Sequence, residues 1–407
     1  MNYLSKTLRG FFWISALSGT IRILALAKIA VLARILLPSQ FGEFAIVTMV
    51  LAFLEIVTET GVNLVLLQDK DSLDKYVDTA WIVSILRGLL IAALVVLAAS
   101  PIAAFFNVSS ARNLLMLAAW VPVLRGFINP ACIKFLKELR FATEFWYRLS
   151  IVTVEIGLTA VIALSTKSAV SLVLGMVGAA GVEVVLSWMF ITPRPTGRWD
   201  YSQAKMILNR GKWVTGFGLF DYVFTTADNV VVGKLLGSSA LGIYQNAYKL
   251  ALLPGTQVND IYFKTTTPVY IKMLDEERQL TKAVLIGISG LLAIQIVVSF
   301  ALFFGADWIV RLALGTNWLA AIPVVRVLAI LGLVRGVLFS CNSLFIAKHK
   351  QKYSAVIAFV SMAGIVALLI PWVHNYGLIG AAYAAVVGGL LGLPIMLFLA
   401  VKTIRNL

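Results

Sequence analysis

The sequence predicts an all-α integral membrane protein, with about twelve transmembrane helices in two six-helix bundles, and three observations lead there. Apolar residues make up 60% of the 407 and charged residues 13%, with a mean hydropathy of +0.93. Such a composition leaves long stretches that only lipid tolerates. Lys and Arg gather on one side of the expected spans, and part of the first half recurs 200 residues later. At roughly 20 residues a span, about a dozen crossings consume the chain and leave no large extramembrane domain. A soluble enzyme is excluded. The net charge of +15 is explained by where the basic residues lie relative to a membrane, so nucleic acid is not an expected partner.

Apolar runs bounded by charge, Pro, Gly and Asn place helices near 13–36, 43–67, 77–100, 112–133, 146–165, 169–192, 213–236, 240–262, 283–304, 320–345, 352–373 and 378–401. The first run follows Lys6 and Arg9, is too long for a signal-peptide core and reads as a retained span. The first, seventh and eighth spans are the richest in polar groups. Of the 34 basic residues, 22 fall on one side, among them Lys134, Lys137, Arg140 and Arg148, Arg194 to Lys212, and Lys402 with Arg405. Only Arg112, Lys167 and Arg311 fall on the other, and nine lie within spans. Positive residues stay inside, so both termini are expected in the cytoplasm. Cys132 and Cys341 sit in or near apolar segments, and no disulfide is expected.

The repeat pairs Val31–Phe44 with Val231–Tyr244, each joining an odd span to the next by a tight outer turn. A weaker echo pairs Leu124-Arg125-Gly126 with Val334-Arg335-Gly336. Six spans repeat as six, and an even number per repeat keeps both halves in one orientation, related by an axis along the membrane normal. The expected lobes are 1–192 and 213–407. Residues 193–212, with two prolines, five basic residues and Trp199, read as a cytoplasmic linker.

Candidate chemistry is sparse. Asp69-Lys70-Asp71 matches the carboxylate pattern of some metal-dependent glycosyltransferases, but in a short charged loop with no nucleotide domain beside it the pair reads as a solvated turn. His349 and His374 fall on opposite sides, no P-loop occurs, and neither a metal nor any other cofactor nor a catalytic site is expected. Ionisable groups at membrane depth carry the functional signal, since each costs about 2.5–3.5 kcal/mol at a helix centre unless it faces water or a partner. Arg34, Lys234 and Arg326 lie near span ends and snorkel. Arg22, Lys28, Arg87, Arg125, Lys249 and Arg335 lie deeper and are expected to line a polar, substrate-binding cavity.

Six acids also fall inside spans: Glu55, Glu59, Glu155, Glu183, Asp221 and Asp228. Glu55 and Glu59 share a helical face at four residues' spacing, as do Asp221 and Asp228 at seven. Both pairs fit two roles, neutralising nearby cations or coupling transport to an ion. Arg22 and Lys28 differ in direction by about 120° on one helix. One is expected to face the cavity while the other meets an acid such as Glu55 or Glu59. Pro122, Pro254, Pro323, Pro371 and Pro394 are expected to interrupt spans, and Lys134–Phe141 reads as an amphipathic helix on the anionic inner leaflet.

These residues resemble a family. Leu32-Ala-Arg34 running to Phe41-Gly42, Glu59-Thr-Gly61, Lys137–Phe141, Asp228–Gly237 running into Leu241–Tyr248, and Gly377–Tyr383 together are similar to the oligosaccharide flippases of the multidrug/oligosaccharidyl-lipid/polysaccharide (MOP) superfamily, of the O-antigen and colanic-acid exporter (Wzx) type. The resemblance extends over nearly the whole chain. It implies a protein of the bacterial inner membrane, not an enzyme, that flips an undecaprenyl-pyrophosphate-linked oligosaccharide by alternating access for surface-polysaccharide biosynthesis. It also implies membrane lipid and polysaccharide polymerase proteins as partners, and H⁺ or Na⁺ as coupling ion. Family members often carry two further C-terminal spans beyond the twelve counted here. A multidrug or small-molecule antiporter of the same architecture is the rival, weakened by the excess of internal basic residues. A membrane-embedded glycosyltransferase or polymerase lacks the large outer loop it would need.

The charge asymmetry generates a topology test. Reporter fusions should place both termini and residues 193–212 in the cytoplasm, with the turns after Leu36 and Leu236 outside; an outward C-terminus would overturn the span count.

Overall fold

The computed structural model describes the backbone of residues 3–63, 66, 75–274 and 276–405, and their side chains except 3–12, 14–15, 210–217, 220–221, 224, 277, 404 and 405. The Asp69-Lys70-Asp71 loop lies outside these residues, as does the side chain of Asp221. Among the described residues every regular element is helical. In chain order these are α1 (Tyr3–Ala33), α2 (Pro38–Val57), α3 (Val77–Phe106), α4 (Ser110–Ala118), α5 (Trp120–Gly126), α6 (Lys134–Lys137), α7 (Phe141–Thr166), α8 (Val170–Phe190), α9 (Tyr201–Lys272), α10 (Glu277–Ala313), α11 (Ala321–Phe339), α12 (Asn342–Ala347) and α13 (Gln351–Arg405).

Among the described residues eight helices are long and apolar enough to cross a membrane, and the bent pair Ser110–Gly126 with Pro130–Lys137, which turns by 69°, makes nine if it counts as one span. The protein is a multi-pass membrane protein. The twelve expected spans exceed these nine because two helices run double length. The 55 residues of α13 are two helices joined across a kink at Gly377, and the 72 of α9 are two joined across a kink at Gly237. Both glycines have positive φ, 59° and 84°, where a Cβ would strain the backbone. The helix α9 fails on hydropathy because its polar arms carry Asp221, Asp228, Lys234 and Lys249.

Interruptions follow the expected prolines only in part. Pro254, Pro371 and Pro394 lie inside α9 and α13, which continue through them, as membrane helices do where neighbouring groups satisfy the freed carbonyl. The fourth span is broken, beside Pro122 and again at Pro130, into α4, α5, a 3₁₀ turn at Pro130–Ile133 and α6. The surface helix expected over Lys134–Phe141 is also corrected. Only Lys134–Lys137 is helical, Phe135 is buried, and Leu139 turns the chain at φ 58°. Glu138 pairs with Arg140 at 2.9 Å, so the segment is a folded corner rather than a strip lying on lipid.

The chain forms two compact units, residues 1–226 and 227–407. In the first, α1 packs on α7, α7 on α8, α3 on α4 and α5, and α5 on α8. Packing is closest where α3 meets α5. A Cβ on Gly126 would lie 2.9 Å from the Ser84 carbonyl oxygen, and one on Gly88 would strike the Pro122 carbonyl. Outward faces carry exposed Leu97, Val161 and Phe190, the surface lipid requires. In the second unit, α10 packs on α11 and α11 on α13. Buried Gln295 of α10 donates to the Gly255 carbonyl at 3.0 Å and to Asn259 at 2.9 Å.

The segment leading into α9 is fastened to the first unit. Asp78, at the start of α3, accepts hydrogen bonds from the backbone amide and hydroxyl of Thr196 and from the Gly197 amide at 3.2 Å. Asn129 donates to the carbonyls of Ile191 and Pro193 at 3.2 and 2.9 Å. Asp200 then caps α9, accepting from the hydroxyl and amide of Ser202 at 2.6 and 2.8 Å and from the Gln203 amide at 3.2 Å. Those bonds hold its carboxyl below the usual carboxylate range, so the cap persists at neutral pH and is lost only in acid.

The close approach of α3 and α5 predicts that Gly88→Ala destabilises the protein by about 1–3 kcal/mol. Gly157→Ala, where a Cβ meets no atom within 4 Å, should be neutral or slightly stabilising. Thermal unfolding in detergent should separate the two.

Candidate functional site

The site begins where α2 stops. The helix ends at Val57, so Glu59 lies beyond it rather than one turn along the same face as Glu55. Arg87 of α3 explains the ending. Its guanidinium donates to the free Glu55 carbonyl at 2.5 Å, to the Glu59 carboxylate at 3.0 Å and to the Thr58 hydroxyl at 3.3 Å. One cation thereby satisfies a helix-end carbonyl and neutralises an acid. The other oxygen of Glu59 accepts from the Gly61 amide at 3.0 Å, and Gly61 has φ 72°, a turn that places the Glu59-Thr60-Gly61 motif.

Arg125, on the short α5, donates to the Glu55 carboxylate at 2.7 Å. Arg148 of α7 bridges Glu144 at 3.0 Å and Glu183 of α8 at 3.2 Å. Together Glu55, Glu59, Arg87, Arg125, Arg148 and Glu183 line a cavity of about 420 Å³ in the first unit, with Ile56, Val62, Ile91, Pro122 and Cys132 among its other walls. Three guanidinium and three carboxylate groups face it among the described residues, so its formal charge is zero. Arg125 is the most accessible of the three arginines facing it, its side chain 48% exposed against 24% for Arg87 and 44% for Arg148. A second cavity of about 290 Å³ adjoins the first, sharing Arg125 and Glu183, and is lined also by Lys28, Glu155, Thr48, Phe44 and Met176. Lys28 pairs there with Glu155.

Of the residues singled out from sequence, Glu55, Glu59, Arg87 and Arg125 meet in the larger cavity and Lys28 lines the smaller. Arg22 sits half-buried on α1 and lines neither. Of Arg22 and Lys28, one of which was expected to meet an acid such as Glu55 or Glu59, Lys28 pairs with Glu155, while Glu55 and Glu59 hold Arg125 and Arg87. Asp228, Lys249 and Arg335 belong to the second unit. Buried Asp228 accepts hydrogen bonds from the Tyr244 hydroxyl at 3.0 Å and from the Asn229 backbone and side chain at 2.8 and 3.0 Å. The Arg335 guanidinium lies over the Tyr248 ring at 5.4 Å, and Lys249 reaches Gln245 at 3.4 Å. Arg148 and Glu183 went unrecognised as site residues. The signal was an acid in mid-span at Glu183 with no base on its own helix, and a Glu144–Arg148 spacing of four at the entry to the fifth span.

Residues 31–323 match the family described as polysaccharide biosynthesis protein. The lipopolysaccharide biosynthesis protein WzxC of Escherichia coli K12 is 26% identical over 363 residues, covering 87% of this chain and 72% of that one. In fold, the chain superposes on the lipid II flippase MurJ in its inward closed conformation with a TM-score of 0.73, at 15% identity, over 96% of this chain and 88% of that one. An inward-facing multidrug resistance MATE transporter of the MOP superfamily gives 0.71 at 17% identity, covering 95% and 94%. The expected all-α, two-bundle fold of that superfamily stands.

The pairing geometry predicts that Arg148→Met, which strands Glu144 and Glu183, costs on the order of 2 kcal/mol, less than a fully buried pair because the side chain is partly wet. Adding Glu144→Gln and Glu183→Gln should restore most of the loss, and a thermal-melt double-mutant cycle reads the coupling directly.

Proposed function

The chain belongs to the polysaccharide biosynthesis protein family, and from that premise we propose that it is a flippase. It moves undecaprenyl-pyrophosphate-linked oligosaccharide units from the inner to the outer leaflet of a bacterial inner membrane, with both termini cytoplasmic, by alternating access of two lobes, 1–192 and 213–407, joined by 193–212. One observation carries the reading: arginines from three helices open onto a water-accessible cavity at membrane depth. A diphosphate cannot cross hydrocarbon unaccompanied. An arginine fork holds two of its oxygens at once, while the lipid tail stays in the bilayer.

In this scheme Arg125, the most exposed of the three, meets the anion first. Arg87 follows, and Glu55 and Glu59 keep both guanidinium groups aimed while the site is empty. Arg22, Lys28, Lys249 and Arg335 supply further positive charge along the path. Asp228, with Asp221, exchanges H⁺ or Na⁺ as the lobes rock, since a carboxylate moving between environments loads on one side and releases on the other. No bond is made or broken in the transported molecule, so the protein is not an enzyme. Polymerase proteins receive the flipped unit.

Complementation of surface-polysaccharide export, normalised to protein in the membrane, tests the scheme with Ala and Lys variants at Arg22, Arg87, Arg125 and Arg335. Arg125→Ala should cut export at least tenfold and Arg125→Lys should restore part of it. Full export by all four Ala variants would sink the arginine mechanism.

A further inference from the structure

The cavity that adjoins the larger one has no part in the flippase reading beyond the charge of Lys28, and it lies further along the same helices. Thr48 of α2, Glu155 of α7 and Met176 of α8 line it. Seven residues away on each helix, and so on the same face, stand Glu55, Arg148 and Glu183 of the larger cavity. Seven residues of helix rise about 10 Å. All three steps run one way, towards the end where the turn before α2 meets the turn after α7. Gln40 ties those turns, accepting from the Leu37 amide at 2.8 Å and donating to the Lys167 carbonyl at 2.6 Å. Arg125 and Glu183 face both cavities, so a guest of the larger can extend into the smaller past those two side chains.

Two groups are bonded to the diphosphate of a prenyl-linked oligosaccharide, the prenyl chain and the first sugar, and only one suits this space. A hydrocarbon chain would take water from Lys28, Arg125, Glu155 and Glu183 and return no hydrogen bond. A pyranose carries hydroxyls around its rim and C–H groups on its faces. The cavity meets the first with the Glu155 carboxylate and the Thr48 hydroxyl, and the second with Phe44, Ile151 and Met176. Apolar walls with a few convergent polar groups are the usual make-up of a small-molecule site. The volume of about 290 Å³ matches the share of roughly ten waters, room for one ring.

Charge narrows the choice to a neutral sugar. Among the described residues two cations, Lys28 and Arg125, and two carboxylates, Glu155 and Glu183, face the smaller cavity. A diphosphate in the larger cavity engages Arg125. Lys28 is paired with Glu155, whose side chain is the more open of the two at 28% exposed against 16%, and Glu183 is held by Arg148. A sugar carboxylate placed there would find a carboxylate ahead of any cation, a costly meeting in so enclosed a space. Hydroxyls would find acceptors, and hydrogen bonds to a charged acceptor are the strong ones.

We propose that the smaller cavity holds the sugar bonded directly to the diphosphate, and that this sugar is uncharged. This assignment rests on the flippase reading of the larger cavity and names the headgroup that it takes. The diphosphate lies against Arg87 and Arg125. The ring sits further on, towards the Gln40–Lys167 end, with its faces on Phe44 and Met176 and its hydroxyls on Glu155 and Thr48.

The test uses the whole chain in lipid nanodiscs and short-chain prenyl diphosphate diesters that differ in the second ester: glucose, galactose, N-acetylglucosamine, glucuronate or plain methyl. Calorimetry at neutral pH reads each affinity. At least one neutral sugar should bind wild type tighter than the methyl ester by about tenfold or more, the worth of one or two ordinary hydrogen bonds. Glucuronate should bind more weakly than that sugar by about tenfold or more, since its extra charge finds no partner. Ala180→Leu, which fills the smaller cavity from α8, should bring the sugar down to the level of the methyl ester. Glu155→Gln, which frees Lys28, should close most of the gap between sugar and glucuronate, whereas loss of a merely structural glutamate would lower all the affinities alike. Equal binding of the methyl ester and every neutral sugar by wild type overturns the sugar site and leaves the flippase reading standing. So does glucuronate bound as tightly as the best neutral sugar, or a selectivity that neither variant changes. The wild-type panel decides even if a variant does not fold. Failure of wild type to bind any of these diesters overturns the flippase reading of the larger cavity and the sugar site with it.

Discussion

A charge placed at membrane depth must find its opposite within the protein, and that requirement organises the first unit. Arg87, Arg125, Arg148 and Lys28 come from four helices, and each is met by a glutamate from another element or from the turn of its own helix. None of these pairs is dry. Their carboxylates and cations open onto two adjoining cavities, which lowers the cost of ionisation below that of hydrocarbon. Pairing and hydration together allow so many ionised groups where lipid surrounds the fold.

The pairs in turn depend on helices that stop short. Glu59 reaches Arg87 because α2 has ended at Val57, and the guanidinium that binds it also satisfies the Glu55 carbonyl left open by that ending. Arg125 projects from α5, a seven-residue helix between two breaks, seated against α3 through Gly88 and Gly126. Broken helices aim side chains that a continuous span would carry elsewhere. The same backbone economy appears at Gly237 and Gly377, where two long helices each kink at a residue of positive φ.

Much of this was legible in the sequence, and the limits have physical causes. Hydropathy and the side preference of Lys and Arg are properties of single segments, so spans and fold class followed from them. The depth of Arg87, Arg125, Glu55 and Glu59 was equally plain. Which acid meets which base was not, because spacing along one helix says nothing of the angle at which its neighbour presents a residue. Whether Arg22 or Lys28 meets an acid, and which acid, stayed open for that reason; Lys28 pairs with Glu155. Arg148 was counted among the cytoplasmic cations because it follows Lys134, Lys137 and Arg140, yet it turns inward to Glu144 and Glu183. Proline was an uneven guide to the breaks: the fourth span breaks beside Pro122, whereas α9 and α13 continue through Pro254, Pro371 and Pro394 and kink at Gly237 and Gly377, where φ is positive.

The matched lining has an electrical consequence. A bilayer holding a potential does work of about 2.3 kcal/mol on each elementary charge carried across 100 mV. Among the described residues the formal charges facing the larger cavity sum to zero, so this lining as a whole presents no net charge on which such a field could do work. A lining so matched lacks the net field by which a bare cluster of arginines would collect inorganic phosphate or chloride, or a bare cluster of glutamates potassium.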